Sequence, residues 1–321
     1  MRRVLVVLFL GVISTGIAQA QFGGLIETSL TIELSSVSPE PNQTITASIN
    51  DYAIGIVPAS IRWYINGQLQ TSAQNERELA FTTGPIGSVT TLSVELETVN
   101  GQVVSAGRDV RPSRIDIIME PLTFVPDFYQ GAALPSKGSA IKFTAISFTG
   151  SQNEDPTNLI YTWKVNGNLI GTGGIRGRSS IVVDDIPIRV APDVQVTVAR
   201  LSGEVIGRGK MDIPLTDPEI LFYPVSTLND ITPIELASPA RMLGQELTVR
   251  AQPYYLSLDT LTAPNSVEWR LDNQPLSSTL GDTYEVTLSR QGFGGSSRLQ
   301  IEIQDRSNFS QRASDSFVFT Y

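Results

Sequence analysis

The 321-residue chain contains no histidine and no cysteine, and lysine occurs only at positions 137, 142, 164 and 210. Without histidine there is no Ser-His-Asp triad, no Cys-His dyad and no imidazole zinc site. Without cysteine there is no disulfide, no thiolate ligand and no lipid-anchoring residue behind a leader. Ser-Lys catalysis remains formally open, but none of the four lysines is expected to sit in a Ser-x-x-Lys context. No catalytic residue, metal site or cofactor is assigned. Helical periodicity is also missing, since no stretch carries a convincing 3.6-residue apolar repeat.

Long apolar runs are confined to the start. Arg2 and Arg3 precede an apolar run from Val4 to about Ile17, followed by Ala18-Gln19-Ala20. This is the pattern of a secretory signal peptide over residues 1–20, and it predicts export to an extracellular, cell-surface or periplasmic location. Later segments are too short or too polar to span a bilayer, so the mature chain is expected to have no transmembrane span. Two arginines leave with the leader, which moves the formal net charge from −9 to −11. Such a surface repels nucleic acid and anionic headgroups, and a nucleic-acid partner is excluded.

What the chain does have is a repeat. Trp63-Tyr-Ile-Asn-Gly, Trp163-Lys-Val-Asn-Gly and Trp269-Arg-Leu-Asp-Asn lie 100 and 106 residues apart. Upstream of each Trp is an alternating strand: Ile45, Ala47 and Ile49; Ile141, Phe143 and Ala145; Leu247, Val249 and Ala251. Downstream come Leu92, Val94 and Leu96; Val194, Val196 and Val198; Leu299, Ile301 and Ile303. Alternation with period two places one row of side chains on one sheet face, as a half-buried antiparallel strand requires. Each downstream strand then meets a turn, at Asn100-Gly101, Ser202-Gly203 and Ser307-Asn308, before a closing strand.

Copies of this length are the size of a β-sandwich domain. The expected architecture is all-β: three tandem immunoglobulin-like antiparallel sandwiches after the signal peptide, over residues 21–112, 113–216 and 217–321. Proline in both linkers, at Arg111-Pro112-Ser113 and Pro214-Leu-Thr-Asp-Pro218, restricts the backbone and predicts a semi-rigid rod. In this setting Trp63, Trp163 and Trp269 are read as core residues filling the space between two sheets.

The strand-borne Trp, the W-x-x-N-G turn, the alternating strands and the closing hairpin resemble the immunoglobulin-like and polycystic-kidney-disease (PKD) type modules of bacterial exported proteins. The resemblance covers about residues 28 to 320, without the inter-sheet cysteine pair of antibody domains or the Asp-rich turn usual in PKD modules. It implies a fold and leaves function open, because such sandwiches host many roles.

The acidic side chains Glu95, Glu97, Glu302 and Asp305 are read as solvated outer faces and not as a glycosidase pair. The clusters at Asn153-Glu-Asp155, Asp184-Asp185 and Asp212, Asp217, Glu219 lack the spacing of a calcium loop. The segment from Phe124 to Pro135 is long for a strand connection and carries Phe128 and Tyr129, the candidates for contact with a partner. The alternative for these two aromatics is that they fold back over an open sandwich edge. The expected function is a non-enzymatic structural or binding protein at the cell envelope, contacting a protein or polysaccharide through loops and sheet edges. The alternative is a carbohydrate-binding accessory protein, which needs solvent-facing aromatics in a row.

Overall fold

The computed structural model describes residues 30–51, 58–150, 155–184, 192–226, 231–262, 266–278, 282–290, 292 and 294–321. The leader at 1–20, with Asn153, Glu154 and Asp185, lies outside them. Nearly all regular structure is strand.

The first module contains β1 (Leu30–Leu34), β2 (Thr44–Asp51), β3 (Pro58–Ile65), β4 (Gln68–Leu69), β5 (Glu78–Thr82), β6 (Thr90–Thr98) and β7 (Val103–Val110). The second contains β8 (Arg114–Pro121), β9 (Ile141–Phe148), β10 (Ile160–Val165), β11 (Asn168–Leu169), β12 (Ile175–Arg176), β13 (Ser180–Val183), β14 (Asp193–Ala199) and β15 (Val205–Asp212). The third contains β16 (Glu219–Pro224), β17 (Ala240–Arg241), β18 (Glu246–Tyr254), a short helix α1 (Leu258–Thr262), β19 (Ser266–Leu271), β20 (Gln274–Leu276), β21 (Glu285–Ser289), β22 (Ser296–Gln304) and β23 (Arg312–Thr320).

Each module is two facing sheets. One is three-stranded, in the orders β1-β2-β5, β13-β9-β8 and β16-β18-β21. The other carries the Trp strand, in the orders β4-β3-β6-β7, β11-β10-β14-β15 and β17-β23-β22-β19-β20. Neighbours in both sheets run antiparallel apart from the β17–β23 pair, which is parallel and covers the edge of the third module. The chain is thus an all-β array of immunoglobulin-like sandwiches.

The alternating rows make the cores. In β6, Leu92, Val94 and Leu96 point inward with Ile45, Ala47 and Trp63; in β14, Val194, Val196 and Val198 meet Phe143 and Trp163. In β22, Leu299, Ile301 and Ile303 meet Val249, Ala251 and Trp269. The three Trp side chains are 0%, 2% and 3% exposed.

The recurring Trp motif has a local cause. Each indole N–H donates to a main-chain oxygen 13 to 15 residues on: Glu76 (3.0 Å), Arg178 (3.1 Å) and Thr283 (2.9 Å). A buried indole must place its N–H in this way. Three residues after each Trp, Asn66, Asn166 and Asp272 adopt positive φ of 49°, 51° and 49°, the left-handed region that Asn and Asp tolerate. Their side-chain oxygens accept the N–H groups of Thr91 (2.9 Å), Asp193 (3.1 Å) and Arg298 (2.8 Å). The motif therefore ties the Trp strand to both neighbouring segments and fixes the register of the sheet.

Strand direction gives each sandwich two ends. The end where the chain enters we call the head, and the opposite end the tail. Among the described residues, heads carry the connections 99–102, 200–204 and 305–311, while tails carry 35–43, 122–140 and 231–245. The third head loop is wider than the sequence suggests. Ser307-Asn308 sits inside the loop 305–311, and the Asp305 N–H reaches across to Gln311 O at 3.0 Å.

Candidate functional site

The structure concentrates its unusual chemistry where the tail of the second module meets the head of the third. The segment 122–140 leaves β8 and pairs with the chain just after β18. Phe124 N donates to Leu256 O (2.7 Å), Tyr255 N to Phe124 O (2.7 Å) and Leu258 N to Leu122 O (3.1 Å). A loop of one module thus behaves as a short added strand on the next. Tyr255 is held with φ of 61°, strained for a bulky residue. Its N–H is taken by Phe124, and its carbonyl accepts the Ser136 hydroxyl at 2.6 Å.

Five aromatic rings cluster there. Phe128 meets Tyr223 edge-on at 5.2 Å between centroids, and Tyr129 meets Tyr254 at 5.3 Å and Tyr255 at 6.5 Å. Edge-to-face rings at these distances attract beyond their buried area. The hydroxyls pair: Tyr129 with Tyr255 (2.9 Å), and Tyr223 with Tyr254 (2.7 Å). Burial, followed by the bond to Tyr223, pushes the Tyr254 phenol far above its ordinary range. Burial, followed by the bond to Tyr129, pushes Tyr255 up to about 12. Burial also raises Tyr223.

Beside the rings is a polar plug. Gln311 is 0% exposed. Its Oε1 accepts Ser257 N (2.6 Å), and its Nε2 donates to Ser136 Oγ (3.0 Å) and Lys137 O (2.6 Å). Asn308 Nδ2 adds a bond to Gly138 O at 2.9 Å. Asp305 shapes this loop: its carboxylate accepts Ser307 N (2.7 Å), Ser307 Oγ (2.6 Å), Asn308 N (3.1 Å) and Thr260 Oγ1 (2.9 Å). Burial alone would raise its pKa, but the bonds from Ser307, Thr260 and Asn308 outweigh burial and hold it below the usual value.

The joint between the first and second modules is built otherwise. Ser38 Oγ donates to Ile206 O at 3.0 Å, and Ser113 Oγ donates to the same carbonyl. Ser113 N donates to Pro39 O at 3.0 Å. Gly87 and Gly150, at φ of 86° and 77°, bring two backbones so close that a Cβ on Gly150 would lie 2.0 Å from the Gly87 Cα. An open cleft remains there, lined by Leu34, Val37, Arg111, Arg200 and Val205.

The sequence expectations can now be placed. Phe128 and Tyr129 are half-buried, and the surface they meet is the third module of the same chain. Asp305 departs from the solvated-face reading, because it is buried in the joint. Glu95 and Glu97 lie on an outer face beside Arg62, at 3.8 and 2.9 Å, and Glu302 pairs with Arg312 at 2.9 Å. One lysine departs from the expectation that none has a Ser-x-x-Lys context, because Ser139 stands three residues before Lys142. Its hydroxyl instead donates to Ser136 O (2.9 Å), while Lys142 Nζ binds Glu120 (2.8 Å). Asp155 caps a 3-10 turn by accepting Thr157 N, and Asp217 pairs with Lys137 at 3.2 Å. Among the described residues, no three acidic groups converge as a metal site would require, and no helix is long and apolar enough to cross a membrane.

Gln311, Ser136 and Tyr255 were missed by sequence reasoning. The available signal was a broken repeat. Asp305-Arg-Ser-Asn-Phe-Ser-Gln311 replaces the short Gly-containing head turns of the first two modules.

No protein-family model matches the chain, and no curated protein matches it. Among solved structures it is similar to the three N-terminal domains of the bacteriophage RB49 highly immunogenic outer capsid protein. That match has 9% identity, covers 91% of this chain and 98% of that one, and has a TM-score of 0.27. The central fibronectin-III array of RIM-binding protein matches at 12% identity, 92% and 97% coverage and a TM-score of 0.27. A Bacteroides ovatus mixed-linkage glucan utilization locus protein, SGBP-B in complex with a heptasaccharide, matches at 15% identity, 88% and 64% coverage and a TM-score of 0.23.

Proposed function

We propose that the protein is a non-catalytic structural and binding protein of the cell envelope, an exported semi-rigid array of PKD-like immunoglobulin modules spanning residues 21–112, 113–216 and 217–321. The observation that carries this reading is the use made of buried polar groups. Gln311, Ser136, Ser257, Thr260 and Asp305 are bonded to one another or to main chain across or beside a joint, so their chemistry holds module to module. No reactive group is left poised for substrate by these bonds.

The partner is a protein or polysaccharide of the envelope, met through loops and sheet edges. A polysaccharide platform is the less favoured of the two. Among the described aromatic side chains only Phe148 and Phe309 are exposed, and they lie on different modules. Capture from native envelope extract by the immobilised mature chain, run beside gel retardation on the extracted polysaccharide, tests the reading. A retained envelope protein supports it. Retardation by polysaccharide alone selects the carbohydrate-binding alternative, and turnover of either fraction would overturn the non-catalytic assignment.

A further inference from the structure

We infer that a cleft beside the joint of the second and third modules is a binding site for one apolar side chain of a peptide, taken up together with the main-chain amide next to it. Among the described residues the cleft is walled by Phe124 from the second module and by Pro253, Leu258, Leu261 and Tyr284 from the third, and it measures about 330 Å3. That is the size and the mainly apolar lining of a small-ligand site. Both sides are held in place. Leu261 and Tyr284 pack against the third core, and Phe124 is fixed by its N–H bond to Leu256 O at 2.7 Å. Leu258 stands at the mouth, 45% exposed.

One polar group in the wall is unmet. Val249 and Ala251 point into the core, so alternation along β18 turns Arg250 and Gln252 to the opposite face. Gln252 is 7% exposed and lines the cleft. Among the described residues its side-chain amide has no hydrogen-bond partner. An amide buried in this state is costly, and a water in an apolar cleft finds few other groups to hold it. The Gln252 amide offers N–H donors and a carbonyl acceptor on one plane, the complement of a peptide group. Charge narrows the ligand further. Arg250 Nη1 lies 2.6 Å from Asp282 and 3.9 Å from Glu285, so one cation faces two carboxylates and an anionic ligand is repelled. Arg250 Nε is sealed from solvent without a partner, which leaves Gln252 as the polar group that a ligand reaches. A neutral amide beside an apolar side chain matches both the polar spot and the walls. A sugar ring would instead press hydroxyls against surfaces that are mostly apolar.

The site rests on the reading of a protein as the partner and names the part of it that is held. Its test uses a defined probe and no envelope extract, so either claim can fail alone. Phe124 belongs to the second module, so the cleft is complete only while the joint is closed, and a bound ligand holds it closed by mass action. The isotope-labelled mature chain is titrated with N-acetyl-L-phenylalaninamide, and the Gln252 side-chain amide is followed by NMR. A saturable shift is expected there, with slower exchange of the Tyr255 amide, which crosses the seam to Phe124 O. N-acetyl-L-alaninamide lacks the ring and should bind at least about tenfold more weakly. Phenylacetate, with a carboxylate in place of the amide, should also bind more weakly. Leu258→Lys fills the mouth from an exposed position, so unchanged melting will show that it folds, and it should abolish binding. Gln252→Leu keeps the apolar walls and should weaken binding roughly tenfold, read from the Tyr255 amide. An absent or unsaturable shift, equal binding of the two amides, tighter binding of phenylacetate, or binding unchanged in either variant would each overturn the inference. A saturable shift at Gln252 with cellobiose and none with the peptide probe would overturn it in favour of a polysaccharide.

Discussion

The two joints of this chain solve one problem by different means. Between the second and third modules, main-chain bonds, five rings and a buried amide knit two sandwiches together. Between the first and second, two serine hydroxyls share the Ile206 carbonyl and two glycines touch. Buried rings and satisfied polar groups couple the elements on either side, whereas a few bonds at a partly open cleft do so weakly. The difference implies that the second and third modules open as one cooperative unit, with the first hinged on them.

The strongest way to break this comparison is to damage a core on either side of the weak joint. Trp63→Ala and Trp163→Ala should each cost their own module about 3–5 kcal/mol. Only the second loss should travel, lowering hydrogen-exchange protection in the third module as well. Trp63→Ala should leave both later modules protected. Equal confinement of the two effects would show that the joints do not differ.

A smaller change tests the plug directly. Gln311→Ala leaves the Ser257 N–H and the Lys137 carbonyl without their partner in a buried site, at a cost on the order of 2–3 kcal/mol. The melting of the second and third modules should separate into two transitions, with faster exchange at the Ser257 amide. A single unshifted transition would assign the coupling to the rings alone.

The mildest test is pH. The Asp305 carboxylate is held below its ordinary value, so its contribution is complete above about pH 4 and is lost as pH falls through the depressed folded value. The phenols behave oppositely. Tyr223, Tyr254 and Tyr255 are raised, so their contribution is complete below about pH 10 and is lost as pH rises, for Tyr255 through about 12. Separation of the last two modules in acid and in alkali, followed by near-ultraviolet circular dichroism, checks both limbs. Asp305→Asn should abolish the acid limb, and an unchanged acid limb would remove Asp305 from the joint's energetics.

Much of the fold was legible because burial leaves a period. Leu92, Val94 and Leu96 alternate whichever sheet faces them, and the Trp motif needs its Asn or Asp within three residues to make the turn. The joints leave no such trace. Gln311 meets Ser136 across 175 residues, and a buried glutamine has the same letter as a solvated one. Loop length and aromatic content are local, so Phe128 and Tyr129 stood out in the sequence, where they were expected to meet a partner; in the structure they meet the third module of the same chain. Which surface they contact depends on how two modules stack, and no alternation within either module encodes it. Asp305 was misread for the same reason: it ends an alternating strand, and only the loop beyond it turns back to bury it.

The strand-like seam between Phe124 and Leu256 also sets an order in time. Synthesis delivers residues from the N-terminus at roughly 5–20 per second, so the second sandwich can close seconds before Leu256 exists. During that interval Phe124, Phe128 and Tyr129 have no surface to cover them and resemble a sticky unpaired edge. The nascent chain therefore passes through a window of vulnerability that the finished molecule conceals. Slowing elongation between Pro214 and Leu256 should lengthen that window and raise the yield of aggregated chain.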